Sequence, residues 1–196
     1  MIPRHILIAI FAMVALALAL SAYAWRMHTR VANKEVAVAY SPPIAPPAQG
    51  PTEQATLYVA YDNPPALRPR AITIPLPAGR QERAESLLRA LITLYADPLS
   101  SHQLGAGSEI RSVYLVEPGL AVIDVNAALA DRHRSGILVE ELTVASLVTT
   151  LSANVPGLTR VKIIVDGKVR DTLAGHADLS GFFDVSTVNE LAAQMQ

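Results

Sequence analysis

The sequence predicts an α+β fold: a small mixed sheet with two helices packed on one face, in the order ββαββαβ, preceded by an N-terminal transmembrane helix. Three observations carry that expectation. Short β-branched and aromatic runs are bounded by Pro and Gly; two longer stretches repeat their apolar residues at helical spacing; and one uncharged apolar run opens the chain.

Residues 6–24, ILIAIFAMVALALALSAYA, carry no charge. Nineteen residues at about 1.5 Å each span roughly 29 Å, the thickness of a hydrocarbon core. Arg4 and His5 precede the run, and Trp25 with Arg26 follow it, suited to the membrane–water interface. The rival reading is a cleaved signal peptide, since Ala22-Tyr23-Ala24 fits a small-x-small cleavage site. The run is longer than an ordinary signal core, which favours an anchor over residues 1–25. Arg26, Arg30 and Lys34 outnumber the charge before the span and by themselves favour the opposite orientation to export. Residues 26–54 follow as a linker whose prolines, Pro42, Pro43, Pro46, Pro47 and Pro51, favour an extended spacer.

A folded domain is expected over residues 55–184. TLYVAY reads as its first strand, broken by Asn63-Pro64-Pro65, and alternation from Ala71 to Leu76 reads as the second. In GRQERAESLLRALITLYADP, Gly79 serves as N-cap and Ala84, Leu87, Leu88, Leu91 and Tyr95 form one stripe. IRSVYLVE and LAVIDVN flank Pro118-Gly119 as a hairpin. After NAALADRHRSG comes a second helix, on which Ile137, Val144, Leu147, Val148, Leu151 and Val155 share a face. Leu138, Leu142 and Ala145 widen that face and, with Leu191 and Met195 of the C-terminal segment, make a candidate interaction surface; packing against the first two strands is the alternative for the shoulder. TRVKIIV is the last strand, and Asp166-Gly167 after it is a structural turn rather than a catalytic pair. Residues 185–196 read as a short amphipathic helix opened by a Thr187/Glu190 capping box.

Little in the chain points to chemistry. There is no cysteine, which removes disulfides, thiolate ligands and a thiol nucleophile. From residue 52 onward sixteen acidic side chains face twelve basic ones, which argues against nucleic acid. His176, Asp178 and Ser180 invite a hydrolase triad, but Asp stands in the middle and an extended segment would spread the outer two over about 13 Å. His102 and His133 lack a metal-ligand spacing, and GAGS lacks the lysine of a phosphate loop. Glu141 is read either as electrostatic support for the helix start or as a partly buried acid with a partner. No catalytic residue, cofactor site or metal site is assigned.

The helix–strand–strand–helix–strand order also occurs in RNA-binding modules of the KH type, but this chain has no GxxG at a helix start. The opening strand LYVAY, the hairpin SVYLVEPGLAVIDVN, the helix containing VTTL and the segment VPGLTRVKIIVDGK together resemble the GerMN domain of sporulation and spore germination proteins, over residues 56–184. The resemblance implies a non-catalytic envelope domain, similar in fold to ring-building motifs that self-associate. The chain departs from the many lipoproteins of the family in having no cysteine, and it carries a single copy of the domain. With the anchor, this implies a single-pass protein of the bacterial inner membrane with an exported C-terminal domain, whose partners are envelope proteins or itself. An envelope hydrolase using His176, Asp178 or His133, and a glycan-binding protein, are the alternatives.

Overall fold

The computed structural model describes residues 51–116 and 118–195, with Met13, Leu20 and Ser21 before them. Nearly all of the expected anchor and of the proline spacer lies outside the described residues. Gly50–Gln196 forms one compact unit.

Two sheets replace the single sheet expected. Strands β1 (Thr52–Asp62) and β2 (Pro65–Pro75) make an antiparallel ribbon with Leu57 opposite Arg70. Strands β3 (Ile110–Val116), β4 (Leu120–Val125), β5 (Arg160–Val165) and β6 (Phe183–Asp184) form the second sheet in that order. Its β3/β4 and β5/β6 pairs are antiparallel and its β4/β5 pair is parallel. Helices α1 (Arg80–Tyr95), α2 (Ala127–Asp131), α3 (Ile137–Asn154) and α4 (Val185–Gln194) complete the unit. Both sheets and all four helices contribute to one apolar cluster.

The ribbon runs longer than its sequence suggested, and its prolines explain why. The N–H groups of Thr56, Tyr58 and Ala60 point away from β2, because side chains outside the ribbon accept from them. The register then turns the odd-numbered N–H positions of β2 outward. Pro65, Pro69 and Pro75 fall on those positions, where a missing donor breaks no ladder bond. Leu67, also outward, donates to the Met195 carbonyl at 3.0 Å. Prolines that argued against a strand are thus edge residues.

Helix α3 is apolar enough to cross a membrane by composition, yet most of it is packed within the core. Its polar residues run along the free edge of β1 at four-residue intervals, one helical face. Ser146 donates to the Tyr58 carbonyl at 2.6 Å, Thr150 accepts from Tyr58 N at 2.9 Å, and Asn154 donates to the Thr56 carbonyl at 2.7 Å. Tyr95 of α1 extends the seam: its hydroxyl accepts from Ala60 N at 2.7 Å and lies 2.5 Å from Ser146 Oγ. Burial pushes the Tyr95 phenol up to about 12, so it stays neutral and donates its proton to Ser146.

Further sequence expectations are corrected here. The residues before α3, given no element from sequence, contain the short helix α2, capped by Asn126, whose side chain accepts from Leu129 N. Helix α4 starts two residues before the Thr187/Glu190 box, because the Asp184 side chain accepts from Ser186 N and caps it instead. It is docked rather than free-standing, with Val185, Val188 and Ala192 buried. Ile137, expected in the core, is exposed on the first turn of α3.

Candidate functional site

The segment after β5 concentrates the ionisable residues that raised the question of catalysis. It opens with a two-residue turn: Asp166 and Gly167 have φ of 48° and 73°, and Val165 and Lys168 exchange backbone bonds of 2.8 and 3.0 Å. Gly167 suits this backbone because it has no Cβ to clash. The turn is tied to the neighbouring strands, Gly167 N donating to Asp124 Oδ1 at 2.9 Å and Arg111 Nη1 to Asp166 Oδ1 at 2.8 Å. Beyond Lys168 the chain leaves the sheet as a loop, with one further bridge between Thr172 and Asp178.

That loop is held by two buried charges from elsewhere in the chain. Glu140, on the first turn of α3, has a fully buried side chain. Its Oε2 accepts from the backbone N–H groups of Ala174, His176 and Ala177 at 2.9–3.0 Å. Its Oε1 accepts from Gly136 N at 3.1 Å and His176 Nδ1 at 2.9 Å. Burial alone would raise this carboxyl, but the donors of His176, Ala177 and Ala174 outweigh it and hold it down at about 2. Lys162, on β5, is the second clamp. Its ammonium donates to the carbonyls of Leu179, Ser180 and Gly181 at 2.7, 2.6 and 3.0 Å. The acid that sequence reasoning singled out, Glu141, is exposed; its neighbour Glu140 is the buried one.

The three residues of the imagined triad are separated by these ties. His176 turns to Glu140, with Ser135 Oγ 3.3 Å from the same Nδ1 atom. Asp178 caps its own turn, accepting from Ser180 N at 2.7 Å. A relay needs the carboxylate and the hydroxyl on opposite ring nitrogens, and here both contacts fall on one.

A second polar cluster lies at the end of β1, and sequence reasoning did not find it. His102 and His133, separate in the chain, meet on Thr143 of α3. Each places Nε2 at 2.7 Å from Thr143 Oγ1. His102 Nδ1 sits 2.6 Å from Asp62 Oδ1, and His133 Nδ1 sits 2.7 Å from the Arg134 carbonyl. Arg134 in turn pairs with Asp62. His102 is 0% exposed and His133 7%. Burial lowers His102 to about 4 and is also the largest cause lowering His133. Thr143 is fully buried, so this cluster presents no hydroxyl to a substrate. Among the described residues no group of three or more His, Asp or Glu is arranged to hold a metal.

The candidate interaction residues divide. Leu142 and Ala145 are buried in the core, on the helix that flanks β1. Leu138 and Leu191 are each 53% exposed. Leu138 lies on the first turn of α3, whereas α4 meets that helix at Ser152 through Asn189. Fourteen residues of helix, about 20 Å, separate Leu138 from that junction. Met195 is half-buried beside Leu67. Other exposed apolar groups lie on the outer side of the second sheet, where Tyr114 and Val116 share a face and Phe182 lies under Arg160 at 5.3 Å. The surface hollows are shallow; one of about 320 Å³ lies between α1 and β3, lined by Ile92, Thr93, Ala96 and Ile110 among others.

Comparison with known proteins agrees with this architecture. The family model described as sporulation and spore germination matches residues 56–171. A solved structure of tandem GerMN domains of the sporulation protein GerM from Bacillus subtilis aligns with a TM-score of 0.52 at 16% identity, covering 68% of this chain and 46% of that one. The first GerMN domain of that protein aligns at 0.45 and 20% identity, covering 65% of this chain and 92% of that one. A "Putative Lipoprotein from Clostridium perfringens" gives 0.45 and 20%, covering 72% and 92%. A comparison with curated proteins gave no significant match. On the strength of the family match, which spans more than half its length, this chain belongs to the family of sporulation and spore germination domains.

Proposed function

We propose that this is a non-catalytic cell-envelope domain that works by contact with protein partners or with itself, held at the membrane by its N-terminal apolar segment. The observation that carries the reading is the fate of the charges around the last loop. Glu140 and Lys162 are spent on backbone groups, and Asp178 on its own turn. Side chains committed in this way position a loop and leave nothing poised over a cleft. The exposed Tyr114 and Phe182, with Val116 beside Tyr114, support a role for the outer sheet face, since aromatic groups are the usual anchors of protein contacts.

Crosslinking the intact chain in its native membrane, together with mass measurement of residues 52–196 over a concentration range, tests this. The expected result is a specific protein adduct or a concentration-dependent oligomer that Tyr114→Ser weakens. A strict monomer without adducts refutes the reading, as does an activity abolished by His176→Ala.

A further inference from the structure

The outer margin of β2 keeps open positions between its prolines. Among its outward-facing residues, Pro65, Pro69 and Pro75 have no donor, and Leu67 is engaged by the Met195 carbonyl. Ala71 and Thr73 remain. Both are exposed, and neither N–H has a partner among the described residues. In an antiparallel ladder a residue that turns its N–H outward turns its carbonyl the same way. The two positions stand about 7 Å apart along the strand. An extended segment laid antiparallel against them would exchange both main-chain bonds with each residue. Pro69 and Pro75 bound this window, so a longer strand finds no further donors beside it.

The side chains beside the window are cationic. Arg68 and Arg70 alternate with Pro69 and Ala71, so they project from one face of the ribbon, opposite Val59 and Leu57. Both are exposed. Among the described residues neither meets a carboxylate: Arg68 lies over the Tyr61 ring at 5.0 Å, and Arg70 has no ionic partner. By contrast Arg83, Arg89, Arg111, Arg134 and Arg170 each pair with an acid. An added strand would face Arg70 across a non-hydrogen-bonded position, the kind that brings opposing side chains closest. A carboxylate there would meet the guanidinium, and another two residues along would lie within reach of Arg68. A second copy of β2 laid on the same margin would instead bring two more arginines to the seam.

We propose that residues 69–75 of β2 form a strand-addition site for an extended acidic segment of a partner protein, held by the main chain of Ala71 and Thr73 and selected by Arg68 and Arg70. The site rests on the reading of this unit as a protein-contact domain, but it uses the ribbon and not the outer sheet face. Main-chain bonds attach a strand whatever its sequence, and the arginines choose among sequences.

A labelled peptide alternating glutamate with threonine, titrated against the full chain in detergent and read by fluorescence anisotropy, tests the site. Saturable binding is expected, with slowed hydrogen exchange at the Ala71 and Thr73 amides. The same peptide with lysine in place of glutamate should not bind. Ala71→Pro removes an outward donor at the kind of position Pro69 and Pro75 already fill, so the pairing with β1 survives while affinity falls by about tenfold. Arg70→Glu should lower affinity by a similar factor. Absence of binding overturns the proposal. So does binding that Ala71→Pro leaves intact, since that is attraction to the arginines alone. Self-association of the chain that Ala71→Pro abolishes would assign the margin to a second copy, and also overturns it. Tyr114→Ser should leave peptide binding unchanged; a crosslinked partner that depends on Tyr114, with no peptide bound, sinks this site and leaves the protein-contact reading standing. If Ala71→Pro fails to fold, the wild-type exchange map decides, and protection that spares Ala71 and Thr73 overturns the site.

Discussion

Replacing Glu140 by Gln isolates the clamp on the last loop. The amide keeps the shape of the carboxylate but exchanges one acceptor oxygen for a donor. Placed at the Oε2 position, that donor would face three backbone N–H groups; placed at Oε1, it would face Gly136 N and His176 Nδ1. The second arrangement is the milder, since an imidazole nitrogen can present a lone pair. It still leaves Gly136 N–H unpaired and weakens the bonds that were charge-assisted, for a loss of about 2–4 kcal/mol. Linkage gives an independent figure. A carboxyl at about 2 in the folded chain and 4.5 when unfolded contributes about 3 kcal/mol at neutral pH. The folded value is the depressed one, so this stability is present above 4.5 and disappears as pH falls toward about 2. Urea unfolding of wild type and Glu140→Gln at pH 7 should differ by about 3 kcal/mol, and the gap should shrink to about half by pH 3 and close near pH 2. A variant within about 0.5 kcal/mol of wild type at pH 7, or a gap that does not narrow in acid, would show that the carboxylate is not the clamp.

Other sites yield sharper local effects. Lys162→Met removes the donor shared by three carbonyls and should destabilise the unit by about 1–3 kcal/mol, with new protease cleavage at residues 179–181; cleavage unchanged from wild type would contradict the clamp. Tyr95→Phe strands the Ala60 N–H in the core and should lower stability by about 1–3 kcal/mol in denaturant titration, whereas an exposed tyrosine would give a change near zero.

How much of this was written in the sequence depends on whether an interaction is local. The helices α1 and α3 are legible because their apolar residues repeat at helical spacing, and the β3–β4 hairpin because Pro118-Gly119 sits between β-branched runs. Strand β2 was half hidden, since Pro65 and Pro69 count against a strand until its partner shows that they face outward. Helix α2 and strand β6 are too short to carry a period. The histidine chain was invisible because Asp62, His102, His133 and Thr143 lie on separate parts of the sequence and are brought together only by the fold. Glu140 and Glu141 were ambiguous for a different reason: adjacent residues on a first turn differ by about 100° in direction, and the burying loop comes from far along the chain. One signal was available: Ser146, Thr150 and Asn154 recur every four residues within an otherwise apolar helix, a hint of a polar seam.

The closed margins of the two sheets limit how copies of this domain could meet. Beside β3, Glu85 and its partner Arg89 occupy Val113 N–H and the Arg111 carbonyl, at 3.4 Å each. On the ribbon, one margin is stitched to a helix and the other is studded with imino acids. Along β1 and β3, and at the prolines of β2, strand-by-strand growth into a cross-chain sheet therefore lacks free partners. A second copy meeting those margins would find side chains there, and the two could part without a main-chain bond being broken.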